Sequence, residues 1–196
     1  MKSYARFIIE SGINKRVIYT FARMNPISKG HELLIDKMRQ KALQENADLI
    51  VFLSPKQDIK TNPLTADQKK RYFKLSFPDV NVQVVSEAKD PFKTTEYLIN
   101  KGYNNLHFCC GSDRKTEYDR MQKYFIEKSG LTFESIQIYV AGVRTILEDV
   151  SGMSATKMRE YVINEKFESF YSCCPSNMNV RFAREMYNDC KKGMNL

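Results

Sequence analysis

The strongest constraint in this sequence is an order of segments: short apolar runs rich in β-branched residues alternate with longer stretches of helical spacing. Runs at residues 16–21, 48–53, 80–85, 105–110 and 136–141 read as strands. Between the first two lies an amphipathic stretch over residues 31–45, with Leu34, Met38 and Ala42 at four-residue spacing. Thr65 with Gln68 forms a capping box for a helix through Leu75, and Pro78 lies just beyond its end. Pro91 and Gly102 bracket another helix, and further helices are predicted over residues 116–128, 154–164 and 177–189. Strands separated by helices pair in parallel through crossovers, so the chain reads as α/β. Parallel sheets are buried on both faces, which leaves the loops at the carboxyl ends of the strands to bind ligands. Those loops are residues 22–30, 111–116 and 142–153.

Composition narrows the classes. A chain of 196 residues is one domain's worth, and 42% hydrophobic residues with 28% charged exclude a disordered tail or a fibre. No apolar run approaches the roughly 20 residues that span a bilayer, and the opening residues lack the apolar stretch of a secretion signal. A soluble cytoplasmic protein with no membrane partner is expected. The five cysteines, two adjacent pairs and a lone Cys190, show neither a disulfide framework nor a zinc spacing, which suits reduced thiols. Of the two histidines, His107 lies inside an apolar run and is expected to be a satisfied core residue, outside any site. No metal-ligating residues are nominated. The excess of 31 Lys and Arg over 23 Asp and Glu, +8 in all, favours an anionic partner: a nucleotide, a phosphorylated metabolite or a nucleic acid.

Two of the three loops carry phosphate chemistry. In the first, Gly30 allows close backbone approach and His31 stands at a helix N-terminus, where unpaired amides and the dipole favour an anion. The plainer reading is an Asn25-Pro26 turn followed by a cap residue. In the third, Ser151-Gly152-Met153-Ser154-Ala155-Thr156-Lys157-Met158-Arg159 places glycine, hydroxyls and cations at a helix opening. Ser154 as cap would leave the next amides free for an anion. Its plainer reading is a capped surface helix.

Together the two segments carry a resemblance. Arg23-Met24-Asn25-Pro26-Ile27-Ser28-Lys29-Gly30-His31 is similar to the (H/T)xGH signature of the nucleotidyltransferase superfamily, and Met153-Ser154-Ala155-Thr156-Lys157-Met158-Arg159 to its ISSTxxR signature. Gly111-Ser112-Asp113-Arg114 and the loop ending Lys60-Thr61-Asn62-Pro63-Leu64 further resemble nucleotidyltransferases encoded by tailed phages, and the motifs are also like those of NMN adenylyltransferases. The chain departs from the signatures at Ser28, Ala22, Met153 and Ala155, keeping hydroxyls at Ser28, Ser154 and Thr156.

The resemblance implies a Rossmann-like (HUP-type) five-stranded parallel sheet with helices on both faces. It implies transfer of a nucleoside monophosphate, AMP from ATP rather than CMP from CTP, to a small phosphorylated acceptor. It assigns catalysis to His31, Ser28 and Arg159. Nucleotide binding falls to Phe21, Ala22, Arg23, Gly30, Gly111, Asp113, Met153, Ser154, Thr156 and Lys157, and acceptor binding to Lys60 and Arg71. Mg²⁺ would be bound mainly through the nucleotide phosphates. The alternative is a non-catalytic protein that holds nucleotide or nucleic acid on the same fold, and a tRNA synthetase fragment is disfavoured by length. Residues 16–196 are expected to form one domain behind a leader over residues 1–15. Tyr4-Ala5-Arg6-Phe7-Ile8-Ile9-Glu10-Ser11 in that leader is similar to capsid-directing leaders of some phage proteins that are cut after a glutamate, with a packed amphipathic helix as the alternative.

Overall fold

The computed structural model describes residues 14–141 and 153–196, apart from the side chain of Asp113. Residues 1–13 of the leader segment, and the third loop up to Gly152, therefore lie outside the described residues. Five strands appear in chain order as β1 (Arg16–Ala22), β2 (Asp48–Leu53), β3 (Asn81–Gln83), β4 (Asn105–Cys110) and β5 (Ser135–Val140). They form one sheet in the order β3-β2-β1-β4-β5, all parallel. The helices are α1 (Lys29–Glu45), α2 (Ala66–Ser76), α3 (Pro91–Asn100), α4 (Lys115–Lys128), α5 (Ala155–Ile163), α6 (Phe167–Ser172) and α7 (Val180–Gly193).

The strand period of two sorts the core into two layers. Ile18, Val51, Leu53 and Cys109 point to one face, where they meet Ile35 and Met38 of α1, Phe73 of α2, Met158 of α5 and Met186 of α7. Val17, Tyr19, Phe52, Leu106 and Phe108 point to the other, against Leu98 of α3 and Met121 and Phe125 of α4. Each fully buried Leu, Ile or Phe adds roughly 1.5–3 kcal/mol. Both faces of the sheet are covered, which is why its strands read as continuous apolar runs.

Two elements differ from the sequence reading. Strand β3 keeps only residues 81–83 of the expected 80–85, because three residues find partners on the edge strand's single neighbour, in the register Ile50↔Asn81 to Phe52↔Gln83. The chain then turns, with the Ala88 N–H donating to the Val85 carbonyl at 3.1 Å. Helix α6 was not anticipated. Its six residues are too few to show a period, and it forms because Phe170 is fully buried in the core.

The strand order turns back between β1 and β4, the neighbours at which the chain changes direction across the sheet. In such sheets ligands bind in the crevice outside the carboxyl ends of the strands at that point. The loops after β1, β2 and β4 and the start of α5 surround it.

Candidate phosphate site at the carboxyl end of the sheet

The loop after β1 is held by its own residues. Asn25 is 1% exposed, and its amide donates to the Leu64 carbonyl at 3.1 Å while its Oδ1 accepts the Leu64 N–H at 2.9 Å. This pair of bonds clamps the β1 loop to the loop after β2. Ser28 caps α1 in extended conformation, and its N–H donates to His31 Nδ1 at 3.0 Å. A backbone N–H can only donate, so Nδ1 is an acceptor and a neutral His31 carries its proton on Nε2. The Ser28 hydroxyl, buried, also lies 3.0 Å from Nδ1. Ser28 thus sets the imidazole's orientation at the helix start.

Helix α5 begins beside this loop. Ser154 caps it by accepting the Lys157 N–H at 3.2 Å. A Cβ on Gly30 would stand 3.4 Å from the Met153 carbonyl oxygen, so the openings of α1 and α5 are in van der Waals range. Arg159 spans them: one guanidinium nitrogen donates to the Asn25 carbonyl at 2.7 Å and another to the Thr156 hydroxyl at 3.1 Å. Burial, the largest influence, lowers the Arg159 pKa, and the charge of Arg23 acts the same way, while Cys190 and Asp58 oppose it. Arginine stays charged regardless. Residues more than 130 positions apart in the chain are therefore joined by one side chain.

The remaining predicted residues divide. Phe21 and Ala22 end β1, with the Ala22 carbonyl accepting the Ser54 N–H at 2.9 Å. Gly111 opens a single turn over Ser112–Arg114 after β4. Arg23 and Lys60 are exposed at the rim. Lys157 faces outward, its ammonium 2.9 Å from Glu160 and over the Tyr161 ring. Arg71 is held by Glu185 of α7 and lies over Tyr72, so it is committed to the contact between α2 and α7.

Among the described residues Arg23, Lys29, Lys56, Lys60 and Arg159 have no carboxylate within ion-pair distance, whereas Arg39, Lys41, Lys93, Lys115 and Lys191 all do. Lys15, Lys37, Lys89, Lys101, Arg120 and Lys128, away from the crevice, are likewise without one, so a missing ion pair does not by itself mark the site. Among the described residues no group of three or more His, Cys, Asp or Glu side chains could hold a metal ion. Hydroxyls, amides and cations are donors suited to phosphate oxygens.

Three residues were not singled out from sequence. Lys69 is 2% exposed, and its ammonium donates to the carbonyls of Ser54, by a short bond, and of Lys56, at 3.1 Å, tying down the loop after β2. Burial lowers its pKa to about 8. Its position was legible, since Lys69, Tyr72, Phe73 and Ser76 share the buried face of α2 at helical spacing. Asp58 accepts the N–H groups of Lys60, Thr61 and Asn62 at 3.1, 2.6 and 3.3 Å, the Thr61 hydroxyl at 3.0 Å and the Asn62 amide. These bonds, that of the Asn62 amide foremost, hold its carboxyl well below the usual carboxylate range. Asn25 had been read only as part of a turn. His107 is buried as expected, yet its Nδ1 has no partner among the described residues, and burial lowers its pKa.

The class that this architecture defines is the Rossmann-like α/β fold with five parallel strands. Among solved structures it is similar to Plasmodium falciparum nicotinic acid mononucleotide adenylyltransferase complexed with NaAD, at a TM-score of 0.57 and 14% sequence identity, over 89% of this chain and 98% of that one. At that identity the likeness is one of fold. No family model matches the sequence, and no curated protein matches it either. Among the described residues no helix is long and apolar enough to cross a membrane.

Proposed function

We propose that the protein is an NTP-dependent nucleotidyltransferase that passes a nucleoside monophosphate, AMP from ATP in preference to CMP from CTP, to a phosphate-bearing acceptor and releases pyrophosphate. The observation that carries this reading is the Arg159 bridge to the Asn25 carbonyl, which sets the openings of α1 and α5 side by side. Two helix N-termini then face one anion, with unpaired cations around it. The likeness in fold to an adenylyltransferase points the same way.

The reaction is an in-line displacement. An acceptor oxygen attacks the α-phosphorus as the bond to the β-phosphate oxygen breaks, and pyrophosphate leaves with that electron pair. Positioning and charge stabilisation supply the catalysis, with no covalent intermediate. His31, oriented by Ser28, donates from Nε2 to an α-phosphate oxygen as charge builds there. Ser154, Thr156, Arg159 and the first amides of α5 hold the β- and γ-phosphates. Magnesium bound to the nucleotide phosphates would supply further charge balance, with no protein carboxylate cage needed to hold it. A nucleic-acid-binding protein on the same scaffold is the reading that the +8 charge also supports.

Pyrophosphate release with each NTP against a panel of phosphorylated acceptors tests the proposal, alongside thermal shift with Mg²⁺ and each NTP. Silence across the panel with no nucleotide binding refutes it, and strongly salt-dependent oligonucleotide binding without turnover selects the alternative. Gly30→Ala sharpens the test. Its Cβ meets only ordinary contacts at 3.4 and 3.6 Å, so folding stability should hold while the added methyl crowds the gap between the two helix openings. ATP binding should fall at least tenfold with an unchanged melting temperature.

A further inference from the structure

The positive charge of the chain is gathered on one side of the sheet. The loop after β2, α2 and α7, residues 54–79 and 177–196, hold ten Lys and Arg against five Asp and Glu, a net +5 of the chain's +8. On the opposite face, α3 and α4 with their loops, residues 84–104 and 111–134, hold eight against eight. The solvent side of α3 and α4 is thus neutral, and that of α2 and α7 is basic.

Helices α2 and α7 lie antiparallel. Asn177 donates to the Ser76 carbonyl at 3.4 Å, Glu185 holds Arg71, and Gly193 packs against Pro63, so the partners run in opposite senses along the two segments. The acids between them are already engaged. Asp189 accepts the Tyr72 hydroxyl at 2.6 Å, and the single Glu185 carboxylate serves both Arg71 and, at 3.5 Å, Arg181. One carboxylate cannot neutralise two guanidinium groups, and the Arg181 side chain is 81% exposed. Lys70 and Lys192 are exposed with no carboxylate within ion-pair distance among the described residues, and Asp67 is the exposed acid opposing them on α2. From Arg181 to Lys192 the helix extends roughly 16 Å at about 1.5 Å per residue.

The character of this surface selects its partner. On the two helices the exposed large apolar side chain is Val180, at the first residue of α7. A protein interface needs an apolar centre to bury, and a membrane-bound helix needs an apolar face to insert. This surface offers neither. Dispersed cations over such a length match a chain of phosphodiesters, which binds through charge and released counterions with no apolar contact required.

We propose that the outer sides of α2 and α7 form a second site, which holds nucleic acid by its phosphate backbone without reading its sequence. Its cations belong to two packed helices and not to the helix openings at the crevice, so it stands whether or not the crevice transfers a nucleotide.

The test is fluorescence anisotropy of the full-length protein with labelled single-stranded DNA, single-stranded RNA and duplex DNA over a salt series. One triple variant carries Lys70→Gln, Arg181→Gln and Lys192→Gln. A control carries Lys89→Gln, Arg120→Gln and Lys128→Gln, which removes the same charge from the neutral side. All six positions are exposed, and unchanged melting temperatures confirm folding. Expected is binding that weakens steeply with salt, and the form bound tightest identifies the nucleic acid. The first variant should lose at least tenfold in affinity at low salt and lower the slope of log K against log salt by about 2, while the control keeps the slope of the native protein. Equal losses in both variants overturn the proposal, because net charge alone would then explain the binding. Displacement of the oligonucleotide by magnesium ATP overturns it in favour of the crevice. Absence of binding to all three forms at low salt overturns it as well, whether or not vesicles rich in phosphatidylserine capture the protein, and leaves the reading of the crevice untouched.

Discussion

Replacing Asn25 by alanine should show how much of the crevice depends on one buried amide. The side chain is 1% exposed and serves two main-chain groups of Leu64, itself fully buried, at 2.9 and 3.1 Å. Truncation leaves a buried N–H and a buried carbonyl without these partners. Each unsatisfied group costs about 1–3 kcal/mol, so Asn25→Ala should lose roughly 2–5 kcal/mol. For a chain of this length a loss of 3 kcal/mol corresponds to a melting temperature lower by about 6–12 °C. Asn25→Asp is no rescue: it keeps an acceptor for the Leu64 N–H but sets a carboxylate oxygen against the Leu64 carbonyl. The chain has no tryptophan, so urea unfolding is best followed by far-ultraviolet circular dichroism. Hydrogen exchange at the Leu64 amide should accelerate as well, because that proton loses its acceptor. A stability change within about 0.5 kcal/mol, with Leu64 still protected, would refute the claim that this clamp joins the two loops.

Three other outcomes are expected. Gly193→Ala would place a Cβ 2.1 Å from the Pro63 carbonyl oxygen and 2.7 Å from its carbon, both main chain. The last turn of α7 must shift, at a cost of about 1–3 kcal/mol that outweighs the helix-propensity gain, and thermal unfolding measures it. Lys69 has a folded-state pKa near 8 against 10.5 for an ordinary lysine, so between those values the unfolded chain binds more protons and stability rises with pH on its account. The stability of the native protein minus that of Lys69→Met should therefore increase across that window, and a flat difference in urea titrations would contradict the burial. All five cysteines are free and buried, so Ellman's reagent should find almost no fast thiols in the native protein and five in guanidinium chloride.

The strand and helix order was legible because burial on both faces writes itself into the sequence as uninterrupted apolar runs such as Asp48–Leu53 and Asn105–Cys110. The edge strand β3 was overread, since Val84 and Val85 have the propensity but no neighbour to pair with. Lys69 was missed although its helical phase placed it with Tyr72 and Phe73, because three successive cations at Lys69, Lys70 and Arg71 look like a solvated face. Arg71 was assigned with Lys60 to the acceptor on the strength of the resemblance, which carries no information on Glu185, 114 residues away, the carboxylate its guanidinium meets.

From its own sequence the chain determined its α/β class, the parallel pairing and the helix starts at Thr65 and Ser154, because hydrophobic period and capping act over a few residues, whereas the first helix, read from His31, already begins at Lys29 behind a Ser28 cap. Tertiary structure alone decided that Arg159 reaches the Asn25 carbonyl, that Asn25 holds Leu64, and which cations keep no carboxylate partner. Those contacts join positions tens to more than a hundred residues apart, and no local preference encodes them. They arise only when the packed sheet brings the ends of its strands to one rim.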